Sequence, residues 1–378
     1  MSVVFTNKEF KDVLSTFCKL SSHTSNTHNV PISFGFDPFR MVMVTDYSFV
    51  SSVPNATVSG QNSPYTFNPE ILLGLTYSEG NVELSWENDA SALSLKNNYL
   101  STSLRVALPA PQFDAFPDKI DSFEIPLGLL ASVKKYLEIP FVFYNGKKEL
   151  TPIRFFKNDK GMLSISADDG FSIARITTQI PVSLPIDIKI PKYILDCLYS
   201  KNKVDDKTKV KMGIHGLKFM LTNGSFQIYS SSLSDETSDF DLAIKEFKSK
   251  VTLEFTPSLL ALAIKPLISI LPKKDRSGSI ISFKVFDQEK KVSMSTNHID
   301  VGTGSIDFVE GISNIHLDNE ARFIAINMHP AAFFEYTSLL DIDTARMFAD
   351  NRMAYYKGQI NTGDTVSTLE YIFPTVQV

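Results

Sequence analysis

The chain has 378 residues, of which 43% are hydrophobic and 21% charged, the balance of a soluble globular protein rather than a disordered or fibrous one. That length exceeds what one hydrophobic core usually supports, so three domains are expected. A net charge of -5 excludes a uniformly basic nucleic-acid binder, leaving phosphate affinity to depend on where the cations sit.

The opening text, MSVVFTNKEF, has no basic region leading into a sustained apolar segment, so an intracellular, cytoplasmic address is expected. Cys18 and Cys197 lie singly inside apolar text and read as two buried free thiols, not as a disulfide framework. The longest apolar run, from Leu259 to Leu271, is interrupted by Lys265 and Pro266 and is too short and polar to cross a bilayer.

Along the chain one pattern returns: an apolar strand end, a break, then aliphatic residues at helical spacing. It reads FTNKEFKDVL from Phe5, FNPEILLGL from Phe67, IPLGLLASV from Ile125, IPKYILDCL from Ile190, FTPSLLALA from Phe255 and MHPAAFFEY from Met328. Pro69, Pro126, Pro191, Pro257 and Pro330 mark the breaks at near-even spacing. Proline suits the first helical turn, where its missing N–H would be unpaired anyway, so each copy predicts a strand running into a short helix. Between the copies the text alternates as strands do, with Val82, Leu84 and Trp86, then Leu163 and Ile165, then KVKMGIH, then Ile281, Phe283 and Val285. Asp169-Gly170 and Asn223-Gly224 each separate two alternating runs and predict hairpins.

Each repeat is therefore strand, helix and about three strands, an α+β unit too small to stand alone. Two units per domain give 1–120, 121–245 and 246–378. The Pro-rich segment from Leu108 to Lys119 and the polar, turn-prone segment from Ser232 to Asp241 support these boundaries.

In the predicted helices and their C-terminal turns, cations outnumber acids. Lys8, Lys11, Lys19, Lys134, Lys135, Lys192, Lys201, Lys203, Lys265, Lys273, Lys274 and Arg276 stand against Glu9, Asp12, Glu70, Asp196, Asp275 and Glu335. If the helices share one surface, an acidic chain acquires a basic face suited to phosphates without base readout. With Lys147, Lys148 and Arg154 these cations form the candidate set for contact with double-stranded DNA.

The ordered text resembles the bacterial DNA polymerase III β sliding-clamp family. LPAPQFDAFP from Leu108 is similar to the segment closing that family's first domain, and SADDGFSIARI from Ser166 to its Thr-Asp-Gly-His-Arg-Leu hairpin. SSLSDETSDF from Ser231 resembles the exit from its second domain, and TLEYIFPTVQV its C-terminal strand and tail. The resemblance implies the DNA-clamp fold of three similar domains, with helices lining an inner face and antiparallel sheets outside. It further implies a non-enzymatic processivity factor that encircles DNA as a homodimeric ring, is loaded by a clamp loader, and tethers a DNA polymerase through a peptide-binding cleft. That cleft would draw on Asp168, Gly170, Phe171, Ser172 and Ile173 with Tyr371, Phe373, Pro374, Thr375 and Val376. Asp168, Phe171 and Ser172 depart from the family's hairpin, which points to an altered partner motif and a divergent polymerase, such as that of a phage or mobile element. LISILPKK from Leu267 resembles a ring-contact segment, giving Ile270 and Leu271 opposite Ser103 and Arg105 as dimer-interface candidates.

Catalytic, metal and cofactor patterns are not found. The six histidines lack zinc-site spacing, Asp168-Asp169 reads as a turn, and GTGS from Gly302 lacks the lysine of a phosphate loop. Two other readings stay open: a monomeric, non-ring polymerase accessory subunit that binds DNA, and a β-rich structural virion protein.

Overall fold

The computed structural model describes residues 2–24, 32–35, 40–44, 48–52, 57–59, 66–76, 80–86, 92–105, 121–137, 152–170, 172–198, 209–215, 218–223, 226–233, 239–271, 280–298, 301–318, 324–328, 333–334, 337–338, 340, 342–350, 352–362 and 365–375.

The expected strand-to-helix repeat recurs through the chain. Strand Ser2–Thr6 leads into α1 (Asn7–Thr24), strand Thr66–Phe67 into α2 (Pro69–Gly74), and strand Asp121–Pro126 into α3 (Leu127–Tyr136). Strand Asp187–Pro191 leads into α4 (Tyr193–Leu198), and strand Val251–Phe255 into α6 (Pro257–Ile270). Strand Ile324–Met328 is followed by helical residues at 333–334 and 337–338. Pro69 and Pro257 sit in the first helical turn as expected, behind Asn68 and Thr256. Pro126 and Pro191 instead close the preceding strands. One further helix, α5 (Phe240–Glu246), lies outside the repeat and begins within the text read as a turn-prone linker. Asp239 is its N-cap, accepting from the Leu242 amide at 3.0 Å, so the short carboxylate that suggested a turn starts a helix instead.

The chain divides into two compact units, residues 1–127 with 191–233, and residues 128–190 with 234–378. The first holds a five-stranded antiparallel sheet in the order Thr57–Ser59, Ser2–Thr6, Asn81–Trp86, Ala92–Asn97, Ser101–Arg105. It also holds an eight-stranded sheet that runs Asp121–Pro126, Lys209–His215, Lys218–Thr222, Phe226–Ser231, Ser48–Ser52, Arg40–Val44, Ile32–Gly35, Thr66–Phe67. Helix α1 lies beside α2 and α4. Its residues Phe10, Leu14, Phe17 and Leu20 are fully buried at the three- and four-residue spacing of one helix face.

The second unit carries a nine-stranded sheet and a four-stranded one. Strand Val251–Phe255 lies near one end of the larger sheet, and its buried Val251, Leu253 and Phe255 alternate with half-buried Thr252 and Glu254. Helix α6 packs on strand Gly302–Phe308, where the Ile270 side chain fills the space that a side chain at Gly304 would need. Gly311, at φ +82°, turns the chain between two strands, and its carbonyl accepts from the Thr256 amide at 2.8 Å, just ahead of α6.

Both large sheets join segments assigned to different domains in the sequence. Phe226–Ser231 pairs with Ser48–Ser52 in the first unit, and Ile173–Pro181 pairs with Val366–Pro374 in the second. Residue 245, the expected second boundary, falls inside α5, while residue 120 lies outside the described residues.

Candidate functional site

The hairpin from Met162–Asp168 to Ile173–Pro181 forms as its Asp-Gly signal predicts. Gly170 adopts φ +84°, which a side chain would disfavour. The Asp168 carboxylate accepts from the Gly170 amide at 3.3 Å and that of Asp169 from the Ser172 amide at 2.7 Å, so both acids serve the turn. Among the described residues no group of three potential ligands is placed to hold a metal ion.

Pairing of strand Val366–Pro374 against this hairpin sorts the expected cleft residues onto two faces. Ile173 stands opposite Ile372, and Arg175 opposite Glu370, on one face; Ala174 stands opposite Tyr371 on the other. Tyr371 and Phe373 are therefore core residues, fully buried or nearly so, and the Phe373 ring stacks on Tyr356 with centroids 5.3 Å apart. Burial raises the Tyr371 hydroxyl well above its ordinary pKa. Ser172 and Thr375 are also buried, Pro374 is exposed at the strand end, and Phe171 and Val376 lie outside the described residues.

The face bearing Ile173 was only partly anticipated. Ile173 and Ile372 pack with Phe240 of α5, bordered by Ala243, Ile244, Met353 and Tyr355. The Arg175 guanidinium lies 3.9 Å from the centre of the Phe240 ring. It also donates to Asp241 at 2.6 Å and reaches Glu370 at 2.8 Å. The Tyr355 hydroxyl donates to Glu370 at 2.6 Å, and Lys357 stands 3.9 Å from the same carboxylate. Burial first, then the Glu370 charge, pushes the Tyr355 hydroxyl far above its usual value, so it stays a donor. Arg175, Glu370, Tyr355 and Phe240 were missed by sequence reasoning. The signal was nonetheless present, because Arg175 is two residues from Ile173 and Glu370 two from Ile372, the strand spacing for one face.

The candidate cations separate by placement. Lys8, Lys11 and Lys19 are exposed on α1, and Lys135 and Lys265 are exposed on α3 and α6, with Lys134 half-buried beside them. Lys135 and Lys265 border one open hollow of about 540 Å³, whose lining includes Ser258, Leu262, Phe334 and Ser338. Leu262, 65% exposed, makes this face partly apolar. Lys192 is only 8% exposed, in the turn before α4, because its neighbours Pro191, Tyr193 and Ile194 carry it into the core. Arg154 lies on a strand and forms a two-point pair with Asp187, both contacts at 2.8 Å. Lys147, Lys148, Lys201, Lys203, Lys273, Lys274 and Arg276 lie outside the described residues.

Of the ring-contact candidates, Leu271 is 2% exposed and belongs to the core of its own chain, not to an exposed aliphatic pair, and Ile270 is half-buried against strand Gly302–Phe308. Ser103 is exposed on strand Ser101–Arg105, which also carries Arg105. Among the described residues, that strand and Gly302–Phe308 each stand at one end of the strand order of their sheets. Cys18 is half-buried, not buried, and its thiol is pushed up to about 11 by burial, with a smaller push from Glu70, which makes it a poor nucleophile.

No protein-family model matches the sequence, and no curated protein matches it. Solved structures do match. The DNA polymerase sliding clamp from Bacillus subtilis superposes with a TM-score of 0.80 at 16% identity, covering 100% of this chain and 99% of that one. The DNA polymerase III beta subunit from Thermotoga maritima gives 0.77 at 16% identity, with the same coverage. The corresponding subunit from Pseudomonas aeruginosa gives 0.76 at 13% identity, with both chains covered in full. The chain has the fold of the bacterial beta clamps over its whole length.

Proposed function

We propose that the chain is a DNA sliding clamp, a processivity factor without catalysis of its own that closes as a homodimeric ring around duplex DNA and holds a polymerase there. The observation that carries this reading is the end-to-end likeness to sliding clamps, with each described copy of the repeat placing a helix after a strand. A ring that holds DNA by enclosure needs few strong contacts, which accords with an acidic chain whose exposed Lys8, Lys11, Lys19, Lys135 and Lys265 sit on helices. Phosphate contact from such lysines is sequence-independent. The three domains expected from the sequence, 1–120, 121–245 and 246–378, suit the clamp fold, with the second boundary falling inside α5 and the sheets running across both junctions.

The ring closes edge to edge. Strand Ser101–Arg105 of one copy meets strand Gly302–Phe308 of the other, because among the described residues each stands at the end of its sheet and carries exposed hydroxyl residues, Ser101 and Ser103 on one and Thr303 and Ser305 on the other. The α6 end supports this contact from behind through Ile270, in place of an exposed Ile270–Leu271 pair. A clamp loader opens the ring, and the polymerase docks where hairpin 168–173 meets the C-terminal strand. The departures at Asp168, Phe171 and Ser172 suit a divergent polymerase of a phage or mobile element working in bacterial cytoplasm.

Sedimentation tests the assembly. Twice the chain mass of 42.2 kDa is expected for the native protein, and the single-chain mass for Ser103→Asp combined with Ser305→Asp, which sets like charges across the two edges. A native protein that sediments as a monomer at micromolar concentration sinks the ring and leaves the non-ring accessory subunit.

A further inference from the structure

Helix α5 has seven residues, too few to hold its shape alone, so its stability comes from what it is docked against. Its contacts with the sheet are made by side chains. Phe240 enters the apolar surface of Ile173 and Ile372, and Ala243 and Ile244 border it. Phe240 also meets the Tyr355 ring edge-on, with centroids 6.3 Å apart. Arg175 grips the helix start twice, through the face of the Phe240 ring and through the Asp241 carboxylate. Arg175 is itself held by Glu370, its direct cross-strand partner, and Glu370 by Tyr355. The grip is therefore built into the sheet, while the gripped residues lie on a short, separate helix. Leu242, on the side of that helix away from the sheet, is 54% exposed.

We infer that α5 is a resident occupant of the partner seat, a latch in which Phe240 and Asp241 take the places of a partner's aromatic side chain and the carboxylate beside it. This rests on the reading above that partners dock where the hairpin meets the C-terminal strand. Among the described residues the surface beneath α5 includes Ile173, Ile372, Met353 and Tyr355, apolar and bordered by the Arg175 cation, the chemistry of a seat for an aromatic–acidic peptide segment. A partner gains it by displacing α5 and reproducing the same two contacts on Arg175. The tethered helix competes at the high effective concentration of a linked segment, so only a partner with further contacts elsewhere succeeds. The latch thus selects against incidental apolar peptides.

The test uses the full-length chain and a fluorescent peptide copying its own residues 239–246, DFDLAIKE. The peptide should bind the Phe240→Ala, Asp241→Asn double variant at least tenfold more tightly than the native chain, more weakly as salt rises, and no better than native once Arg175→Met is added. Equal binding to native chain and double variant, or binding unchanged by Arg175→Met, overturns the latch. A second readout needs no variant: in native protein the amides of residues 240–246 should exchange with deuterium at least tenfold faster than those of strand Val366–Pro374. Exchange of both segments at one rate means that α5 opens only when the sheet does, which also overturns it. Retention on circular DNA does not involve α5, so the latch can fail while the clamp reading stands, and the reverse failure is equally visible.

Discussion

Arg154 shows how a residue can carry the right charge in a different role. Its guanidinium forms two contacts with Asp187 and lies over the Phe156 ring, 4.6 Å from its centre, so its fork is committed to its own sheet. The hydrogen bond from Arg154 lowers the Asp187 pKa below the usual carboxylate value; desolvation opposes it, and the charges of Arg154 and Lys189 add to the lowering. A depressed folded-state pKa means that the unfolded chain binds the proton more readily. The pair therefore stabilises the fold above the ordinary Asp value of about 4 and loses that contribution as pH falls through the lowered one. With Asp187 55% exposed, solvent screens the pair and limits it to roughly 0.5 kcal/mol. Arg154→Ala should lower the urea midpoint slightly at pH 7 and by less at pH 3, where part of the pair's contribution is already lost; a deficit that persists undiminished at pH 3 would assign the effect to packing on Phe156. Lys192 carries a related lesson, because text that reads as a helix start does not reveal that its neighbours draw the lysine into the core.

At the scale of elements, the alternating strands and their hairpins were legible because a two-residue period has one meaning wherever one face is buried. Val82 and Leu84, Leu163 and Ile165, and Ile281, Phe283 and Val285 are all fully buried as that period requires. Helix α5 was not legible as a helix, since Ser, Asp and Thr before Phe240 serve a turn and an N-cap equally well. The two-face sorting of Tyr371 and Ile372 was available from parity, yet which face received another element was not. The helices bearing Lys135 and Lys265 give the clearest test of phosphate contact, because both cations border one hollow. Replacing both with Ala should weaken DNA binding alike for unrelated sequences and reduce the slope of log affinity against log salt by about 2. A slope equal to that of native protein would remove this hollow from the DNA-contacting surface.

At the scale of the whole molecule, the repeat predicted strand-to-helix units from end to end, and the matching solved clamps span the chain from end to end. What the text hid is that hydrogen bonding does not stop where repeats do. Segments far apart in sequence, such as Ser48–Ser52 with Phe226–Ser231, complete one sheet, and strand pairing over such separations leaves no local signature. One cation expected in the basic lining, Lys192, is instead drawn into the core. In the proposed clamp, enclosure rather than dense phosphate contact holds DNA. Retention on nicked circular DNA, measured before and after a single cut that linearises it, tests this most directly. A closed ring, once loaded, stays on the circle through a high-salt wash and is lost from the linear form by sliding off its ends; equal retention on both would contradict encirclement.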